Sequence, residues 1–469
     1  MLYGICELRE IKTMMFQKKK SFSTTRVIAF GFLGGILLGT LLLSLPIATK
    51  SGEVTPLIDT LFTATTSICV TGLTTVTTVS HWSFFGQVVI LLLIQFGGLG
   101  VVTFTTTIYL LLGKRIKLSN RLLIQSAYNL DTLSGLVKLT KRIIMCTFIV
   151  EGAGAVIYMI QFIPEFGFFK GLWYSIFHSV SAFCNAGIDL IGDSNFVPYR
   201  DNVLININTM LLIIIGGIGF PVWWDVIGIG KMIARKEERL RRFFRRLSLH
   251  TKISITFTLI LIVLGTVLTM LLEFHNPDTI GSLSFGNKVM ASTFQSVTTR
   301  TAGFATIPQQ NFQTSSSVVY LLWMFIGGSP SGTAGGVKTV TIAIILVSTV
   351  CIVKGQKDIE IFRRKVSEEY LKKGLAVIVV SFSVLFIMTC ALAAVQDSAF
   401  LDTIYETTSA IATVGLSRAF TGSLTTIGKI LIIITMYLGR IGPITMALAF
   451  NAKRKVGDKS LSEGKILVG

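Results

Sequence analysis

Apolar runs of membrane-crossing length recur along the chain, at Val27–Leu45, Val88–Leu112, Ile143–Ile163, Val203–Ile229, Ile253–Leu272, Val318–Val353, Leu375–Val395 and Ile427–Phe450. About 20 helical residues cross a hydrocarbon core of about 30 Å, so the pattern predicts eight spans. Within each pair of runs lies a shorter Ser/Thr-rich stretch, roughly Pro56–Ile68, Gly171–Phe183, Phe285–Thr298 and Phe400–Ile411. These stretches are too short to cross and read as re-entrant helices. Each leads into a similar phrase: TTSICVTGL, VSAFCNAGI, VTTRTAGF and TSAIATVGL. The shared glycines, Gly72, Gly187, Gly303 and Gly415, stand 115, 116 and 112 residues apart. So regular an interval is an internal repeat. The expected fold is an all-α polytopic membrane protein of four M1–P-loop–M2 repeats, with eight spans and four re-entrant pore helices. The repeats fall at 27–112, 113–230, 231–353 and 354–450, between a terminal segment at 1–26 and a tail at 451–469.

Four short helices that each end in a glycine turn are what a ring of backbone carbonyls around one axis requires. Such a ring can replace the water shell of a dehydrated cation. Irregular backbone at membrane depth is tolerated only in protein or beside a watery cavity, and four turns facing one another meet that condition. Inward-pointing carbonyls call for backbone angles that a Cβ disfavours, which accounts for the glycines. The candidate ion-binding residues are Val70, Thr71, Gly72 and Leu73; Asn185, Ala186, Gly187 and Ile188; Thr301, Ala302, Gly303 and Phe304; and Thr413, Val414, Gly415 and Leu416. Pro56 suits a first helical turn. Asp59 and Asp402, each 13 residues before its glycine, complement the helix dipole there.

A second glycine cluster recurs in the M2 runs: QFGGLG (Gln95–Gly100), IGGIGFP (Ile215–Pro221), IGGSPSGTAGG (Ile326–Gly336) and LGRIGP (Leu438–Pro443). In the first two copies, close packing through small residues is the expected reason. The third differs. Ser317–Val353 would extend about 55 Å as one helix, too far for a single crossing. Gly327, Gly328, Ser329, Pro330, Ser331, Gly332, Thr333, Ala334, Gly335 and Gly336 lack helix propensity, so a broken helix with a loop below the carbonyl ring is expected. Arg440 lies inside the last run at matching depth, where a charge is costly and functional or tightly paired. It would raise the barrier to cations, bind loop carbonyls, or pair with Glu151 or Asp225; Lys338 lies near in sequence to the same loop.

Composition agrees with a membrane protein: 51% of residues are hydrophobic and mean hydropathy is +0.70. The net charge of +19 does not indicate nucleic-acid binding, because 34 of the 43 Lys and Arg fall in five segments on one side of an eight-span topology. That bias puts both termini in the cytoplasm of a multi-pass plasma-membrane protein. The first 26 residues carry no small-residue cleavage site, so the first span is expected to serve as an uncleaved anchor. Acids on the other side, among them Glu53, Asp59, Asp189, Asp193, Asp201, Asp278 and Asp402, either concentrate cations at the mouth or are ordinary loop charge. Cys6, Cys69, Cys146, Cys184, Cys351 and Cys390 form no CxxC pair and read as free buried thiols. SPSGTAGGVKT lacks the adjacent Gly-Lys-Ser/Thr of a phosphate-binding loop. A polytopic membrane enzyme is the alternative class, but His81, His178, His250 and His275 sit in no catalytic constellation, and the chain is not expected to be an enzyme. His178, in a re-entrant helix, reads as a hydrogen-bonded structural residue.

Several of these residues carry a family likeness. Through GQVVILLLIQFGGLG, SAFCNAGI, TTRTAGF, ATVGL, GRIGPIT and GGSPSGTAGG, the chain resembles the Ktr/Trk/HKT superfamily of potassium transporters, most closely the KtrB/KtrD-type membrane subunit of bacterial Ktr systems. The resemblance implies pseudo-fourfold order around one pore per subunit, a homodimer, and potassium as the transported ion. No other cofactor is implied for this chain. It implies that Gly72 favours potassium where a serine would favour sodium, that the loop Gly327–Gly336 is an intramembrane gate with Arg440 beside it, and that Arg300 points away from the path. It also implies a cytosolic partner, an RCK-type KtrA/KtrC-like ring that binds nucleotides. A sodium-preferring or weakly selective member of the superfamily, and channel-like against sodium- or proton-coupled flow, stay open at this point.

Overall fold

The computed structural model describes residues 24–100, Thr103, Thr106, 136–192, 194–236, 239–356 and 358–442. Residues 1–23 of the expected terminal segment, the tail, the far half of the first M2 run, most of the first basic linker, Pro443, Asp193 and Cys6 lie outside those residues. In chain order, α1 (Thr24–Leu43), α2 (Leu57–Cys69) and α3 (Phe84–Leu99) form a first unit. The second comprises α4 (Leu136–Phe166), α5 (Phe168–Phe183), α6 (Val203–Gly217) and α7 (Phe220–Ala234). The third comprises α8 (Leu249–Glu273), α9 (Phe285–Thr298), α10 (Thr314–Phe325) and α11 (Thr339–Val353). A small antiparallel hairpin follows, β1 (Ile359–Ile361) and β2 (Arg364–Val366), with Ile359 opposite Val366. The last unit is α12 (Glu368–Val395), α13 (Phe400–Ala412) and α14 (Thr426–Ile441).

The same order, a long helix, a short helix, a turn and a second helix, thus occurs four times. Helix starts are marked by polar side chains that satisfy free amides. Ser83, Asn202, Ser248, Ser284 and Thr425 accept from Gly86, Ile205, Thr251, Asn287 and Gly428, respectively. Among the described residues, α1, α4, α8 and α12 are long and apolar enough to cross a membrane singly, and α6 and α7 pass the same test only as a pair, bent by 100° at the break between them. The long helices expose apolar residues outward, such as Leu41, Phe148, Val263 and Phe386, and bury few: 17% of the apolar window of α8. That inverted pattern suits a lipid surround.

The short helices are the core instead. Thr65, Thr66, Ser67, Ser179, Ser181, Ser292, Thr298, Thr408 and Ser409 are buried. Many of these helices' hydroxyls bond to their own helix one turn back, Thr65 Oγ1 to Leu61 O at 2.7 Å and Ser67 Oγ to Thr63 O at 2.6 Å. Local bonding of this kind lets Ser/Thr-rich helices bury their hydroxyls, although Ser292 Oγ of α9 has no partner among the described residues. The re-entrant ranges expected from sequence are met within a few residues, and Phe285–Thr298 at both ends. All five described cysteines are free, but Cys390 is exposed on α12 and Cys146 is half-buried, so burial does not extend to every thiol.

The second helices correct one expectation. All of them end or break at their glycine cluster, not the third alone. Gly100, Gly219 and Gly442 take φ of 81°, 94° and 89°, closing α3, turning α6 into α7 and closing α14. Packing accounts for other glycines of the same clusters. Gly97, Gly216 and Gly439 lie directly against the carbonyls of Ile68, Phe183 and Ile411, at the ends of α2, α5 and α13. A side chain there would drive the second helix off the short helix of its own unit.

Candidate functional site

Each short helix stops in the same way. The backbone turns left-handed at Val70, Asn185, Thr301 and Thr413, with φ of 56°, 59°, 66° and 50°. Two residues later Gly72, Gly187, Gly303 and Gly415 take φ of 98°, 66°, 83° and 94°. Val and Thr are strained in this region, so their surroundings must impose it. Amides returning to the helix do so: Thr71 to Thr66 O at 2.9 Å, Ala186 to Ser181 O at 2.8 Å, Ala302 to Thr298 O at 2.9 Å and Val414 to Ser409 O at 2.8 Å. Hydroxyls complete the turns in two ways. Thr66 and Ser409 accept from the amides of Gly72 and Gly415, both at 3.0 Å. Ser181 and Thr298 donate to the carbonyls of Ile188 and Phe304, both at 2.6 Å.

The four turns meet one another in sequence order. A Cβ on Gly72 would stand 2.5 Å from Ala186 O, one on Gly187 2.6 Å from Ala302 O, and one on Gly303 2.6 Å from Val414 O. A Cβ on Gly415 would overlap Thr71 O, which closes the circle. Among the described residues, no hydrogen bond ends on Thr71 O, Ala186 O, Ala302 O or Val414 O. All four carbonyls are therefore unspent, within a ring whose flanking Leu73, Ile188, Phe304 and Leu416 are buried. A cavity of about 380 Å³ opens on one side, lined by Gly72, Gly303, Gly415, Asn195, Gln309 and Thr421 among others. A second, of about 420 Å³, lies on the other side, beneath the ends of the short helices, and is lined by Gly98, Gly335, Lys338 and Arg440 among others.

The broken third helix sits between ring and lower cavity. The α10 helix stops at Phe325, and the chain resumes helix at Thr339. The intervening loop is hydrogen-bonded to two of the four turns and packs against a third. Thr333 Oγ1 donates to Asn185 Oδ1 at 2.8 Å and to Phe183 O at 3.1 Å, and the Gly335 amide donates to Thr301 Oγ1 at 3.1 Å. Gly335 also lies against Thr413 Oγ1. Outside the ring, the Ser329 and Thr333 amides donate to Gly217 O and Gly216 O at 2.9 and 3.1 Å, and Phe220 donates to Ser331 O at 3.1 Å. The break in α6–α7 is thus the loop's dock.

Arg440 binds carbonyls and, among the described residues, no acid. Its Nη1 donates to Thr333 O at 2.7 Å and its Nη2 to Gly97 O. Lys338 Nζ donates to Ala334 O at 2.7 Å, so both cations border the same loop. Glu151 is occupied elsewhere, accepting from Gln95 Nε2 at 3.3 Å, and Asp225 accepts from the Ser248 amide at 2.8 Å. Arg300 is buried and reaches Thr258 of α8 at 3.4 Å. His178 is bonded at both nitrogens, to Tyr174 O at 2.7 Å and from the Leu190 amide at 3.1 Å, as a structural histidine would be.

Two outer acids are less free than their loop positions suggest. Asp59 pairs with Lys429 at 2.7 Å and Asp402 with Arg418 at 2.8 Å, so neither offers an open charge to the mouth. Nearby, His81 meets Thr55 Oγ1 at 2.7 Å, and burial lowers its imidazole below the ordinary value against the pull of Asp59. Sequence reasoning missed Asn185 and Thr301 as side-chain anchors of the loop, with Thr413 packed against it, and Glu406, which is buried and accepts from Ser417 at 2.7 Å and Thr421 at 2.5 Å. The available signal was position: in three repeats the residue two before the glycine is polar.

The family described as "TrkH: Cation transport protein" matches residues 22–459. The chain belongs to that cation transport family. It is 40% identical to the Ktr system potassium uptake protein B of Bacillus subtilis, across 97% of this chain and 100% of that one. It is 36% identical to the potassium/sodium uptake protein NtpJ of Enterococcus hirae, across 96% and 98%. The fold matches the crystal structure of the potassium transporter TrkH from Vibrio parahaemolyticus with a TM-score of 0.72 at 16% identity, covering 92% of this chain and 86% of that one. The resemblance read from the glycine phrases and the loop therefore holds, and this member of the family is a membrane ion-transport protein.

Proposed function

We propose that this chain is the ion-conducting subunit of a Ktr-type system and carries potassium inward through the ring formed by its four glycine turns. The observation that carries this reading is the cyclic contact of Gly72, Gly187, Gly303 and Gly415, each glycine abutting the next unit's carbonyl. Around it, α3, the α6–α7 pair, the α10–α11 pair and α14 act as second spans, giving eight spans and four re-entrant helices in pseudo-fourfold order, with the repeat boundaries drawn from the sequence. A cation entering from the outer cavity exchanges water for the carbonyls of Thr71, Ala186, Ala302 and Val414 and their neighbours. The short helices aim their negative ends at the same point. Below, the loop Gly327–Gly336 closes the path and Arg440 holds it there. Inward flow is driven by the membrane potential, about 2.3 kcal/mol per charge per 100 mV.

The basic segments face the cytoplasm in this reading, and the working assembly is a homodimer with a cytosolic, nucleotide-binding regulatory ring; the relatives' name as protein B of a Ktr system supports only that partner subunits exist. The ring moves the loop through α11, which begins where the loop ends. The Enterococcus relative, named for potassium and sodium, favours one second reading: sodium uptake or sodium dependence in the same pore. Uptake of potassium by transport-deficient cells expressing the chain, measured with and without external sodium, tests both. Rescue by potassium alone supports potassium conduction, rescue only with sodium present supports coupling, and no uptake of either ion by correctly inserted protein overturns the reading.

A further inference from the structure

Two basic–aromatic segments far apart in sequence meet at the feet of the broken helices. One is Arg241-Arg242-Phe243-Phe244-Arg245-Arg246, just before α8; the other is Phe362-Arg363-Arg364-Lys365, the turn of the β1–β2 hairpin. The Phe244 and Phe362 rings join them edge to face, with centroids 5.8 Å apart. Both rings remain substantially exposed, at 43% and 42%. Lys365 is neutralised by Asp358 at 2.5 Å. Arg241, Arg245, Arg363 and Arg364 are exposed and have no acidic partner among the described residues.

Depth decides what such a patch would meet. Ile361 and Val366 of the hairpin pack on Ile253 in one small apolar cluster. Ile253 stands about 6 Å above the start of α8, at about 1.5 Å per residue, where the helix's uncharged, largely apolar stretch begins just after Lys252. The hairpin and the arginine run therefore sit at the level of the headgroups, which occupy the outer 5–8 Å or so of each leaflet. Exposed phenylalanine rings beside basic side chains can bury at the boundary of headgroups and acyl chains, and arginine grips phosphate with two parallel hydrogen bonds. A soluble acidic protein would explain the charge but not the depth or the bare rings.

We propose that Arg241, Arg245, Arg363 and Arg364, framed by Phe244 and Phe362, bind the phosphate headgroups of anionic phospholipids of the inner leaflet. The site rests on the inward orientation assigned above, but its test does not depend on ion flux. It also has a route to the loop. The hairpin follows α11, whose first residue, Thr339, donates its amide to Gly328 O at 3.0 Å and meets Ser329 Oγ at 2.9 Å. Lipid occupancy would bias the loop through one rigid helix.

The full chain is to be purified into nanodiscs of phosphatidylcholine containing a minor share of phosphatidylglycerol, and retained lipid counted by native mass spectrometry. The expected result is several-fold enrichment of phosphatidylglycerol over its bulk share, lost in the Arg241→Gln/Arg245→Gln/Arg363→Gln/Arg364→Gln variant and restored when the same four positions are lysine. A control variant, Lys138→Gln/Lys141→Gln at the foot of α4, should keep the enrichment. Excess inorganic phosphate should not displace the lipid; displacement would assign the site to free phosphate. Equal enrichment in wild type and the arginine variant overturns the proposal. So does lipid retention unchanged alongside lost binding of an acidic cytosolic partner protein.

Discussion

The Thr333 hydroxyl shares its proton between Asn185 Oδ1, at 2.8 Å, and Phe183 O, at 3.1 Å, and so fastens the intramembrane loop to the end of a short helix. Asn185 is itself the left-handed residue of that turn. The same residue that shapes the ring therefore holds the loop beneath it. Replacing Thr333 by valine keeps the shape and removes the bond. A neutral hydrogen bond contributes about 0.5–1.5 kcal/mol, so basal potassium flux should rise about two- to tenfold if the loop's seated state is the closed one. Rubidium uptake into cells lacking other uptake systems measures it. Unchanged flux in well-inserted Thr333→Val protein would show that the loop does not limit passage.

The ring glycines admit a sharper test. A Cβ on Gly72 meets Ala186 O at 2.5 Å and requires a φ of 98°, so Gly72→Ser must displace the neighbouring unit's carbonyl. Moving one coordinating oxygen and adding a hydroxyl alters the fit to a dehydrated ion. The potassium-over-sodium uptake ratio should fall by roughly tenfold, the effect of about 1.4 kcal/mol of lost preference. Gly303→Ala, with its Cβ 2.6 Å from Val414 O, should instead abolish flux with the protein still inserted. Ratios identical to wild type in Gly72→Ser would remove the ring from the permeation path.

What could be read from the chain alone follows from what repetition reveals. The α9 helix was bounded at both ends because Ser284 caps it and the glycine phrase stops it. The four ring glycines were found because they recur, whereas a single TxG carries no information. The breaks at Gly100 and Gly219 were hidden, since a helix-packing glycine such as Gly97 and a turn glycine such as Gly100 are the same letter five residues or fewer apart. Loop docking was hidden for a different reason. Asn185, Thr301 and Thr413 bond or touch residues brought close only by the meeting of two distant units. The same holds for Asp59 and Lys429, an ion pair between α2 and α14 that no local pattern announces.

Arg440 spans two backbone oxygens, Thr333 O on the loop and Gly97 O near the end of α3. Only a planar, forked donor serves both; an ammonium is a point charge that serves one well. Arg440→Lys should therefore loosen the loop without removing the positive charge, and Arg440→Met should remove both. If anchoring dominates, the two variants raise basal flux to similar extents. If the charge itself is the barrier, only Arg440→Met does. Uptake kinetics of the two, compared at matched protein levels, separate the cases, and wild-type flux in both would deny Arg440 a part in closure.

Glu406 lies buried on α13 behind the last turn of the ring and holds the segment that leaves it, through Ser417 at 2.7 Å and Thr421 at 2.5 Å. One helical turn earlier, Asp402 holds Arg418 of the same segment at 2.8 Å. Ser417 and Thr421 also line the outer cavity, so the Glu406 side chain helps set the shape of the mouth. Glu406→Ala leaves two hydroxyls without their acceptor, at a cost of about 1–3 kcal/mol for each buried group left unsatisfied. Glu406→Gln keeps one acceptor oxygen and should cost less. The alanine variant should melt at lower temperature and show a raised KM for potassium uptake with inserted protein still active, and the glutamine variant should lie between it and wild type. A mouth held by other contacts would instead leave KM at the wild-type value in Glu406→Ala while only the melting temperature falls.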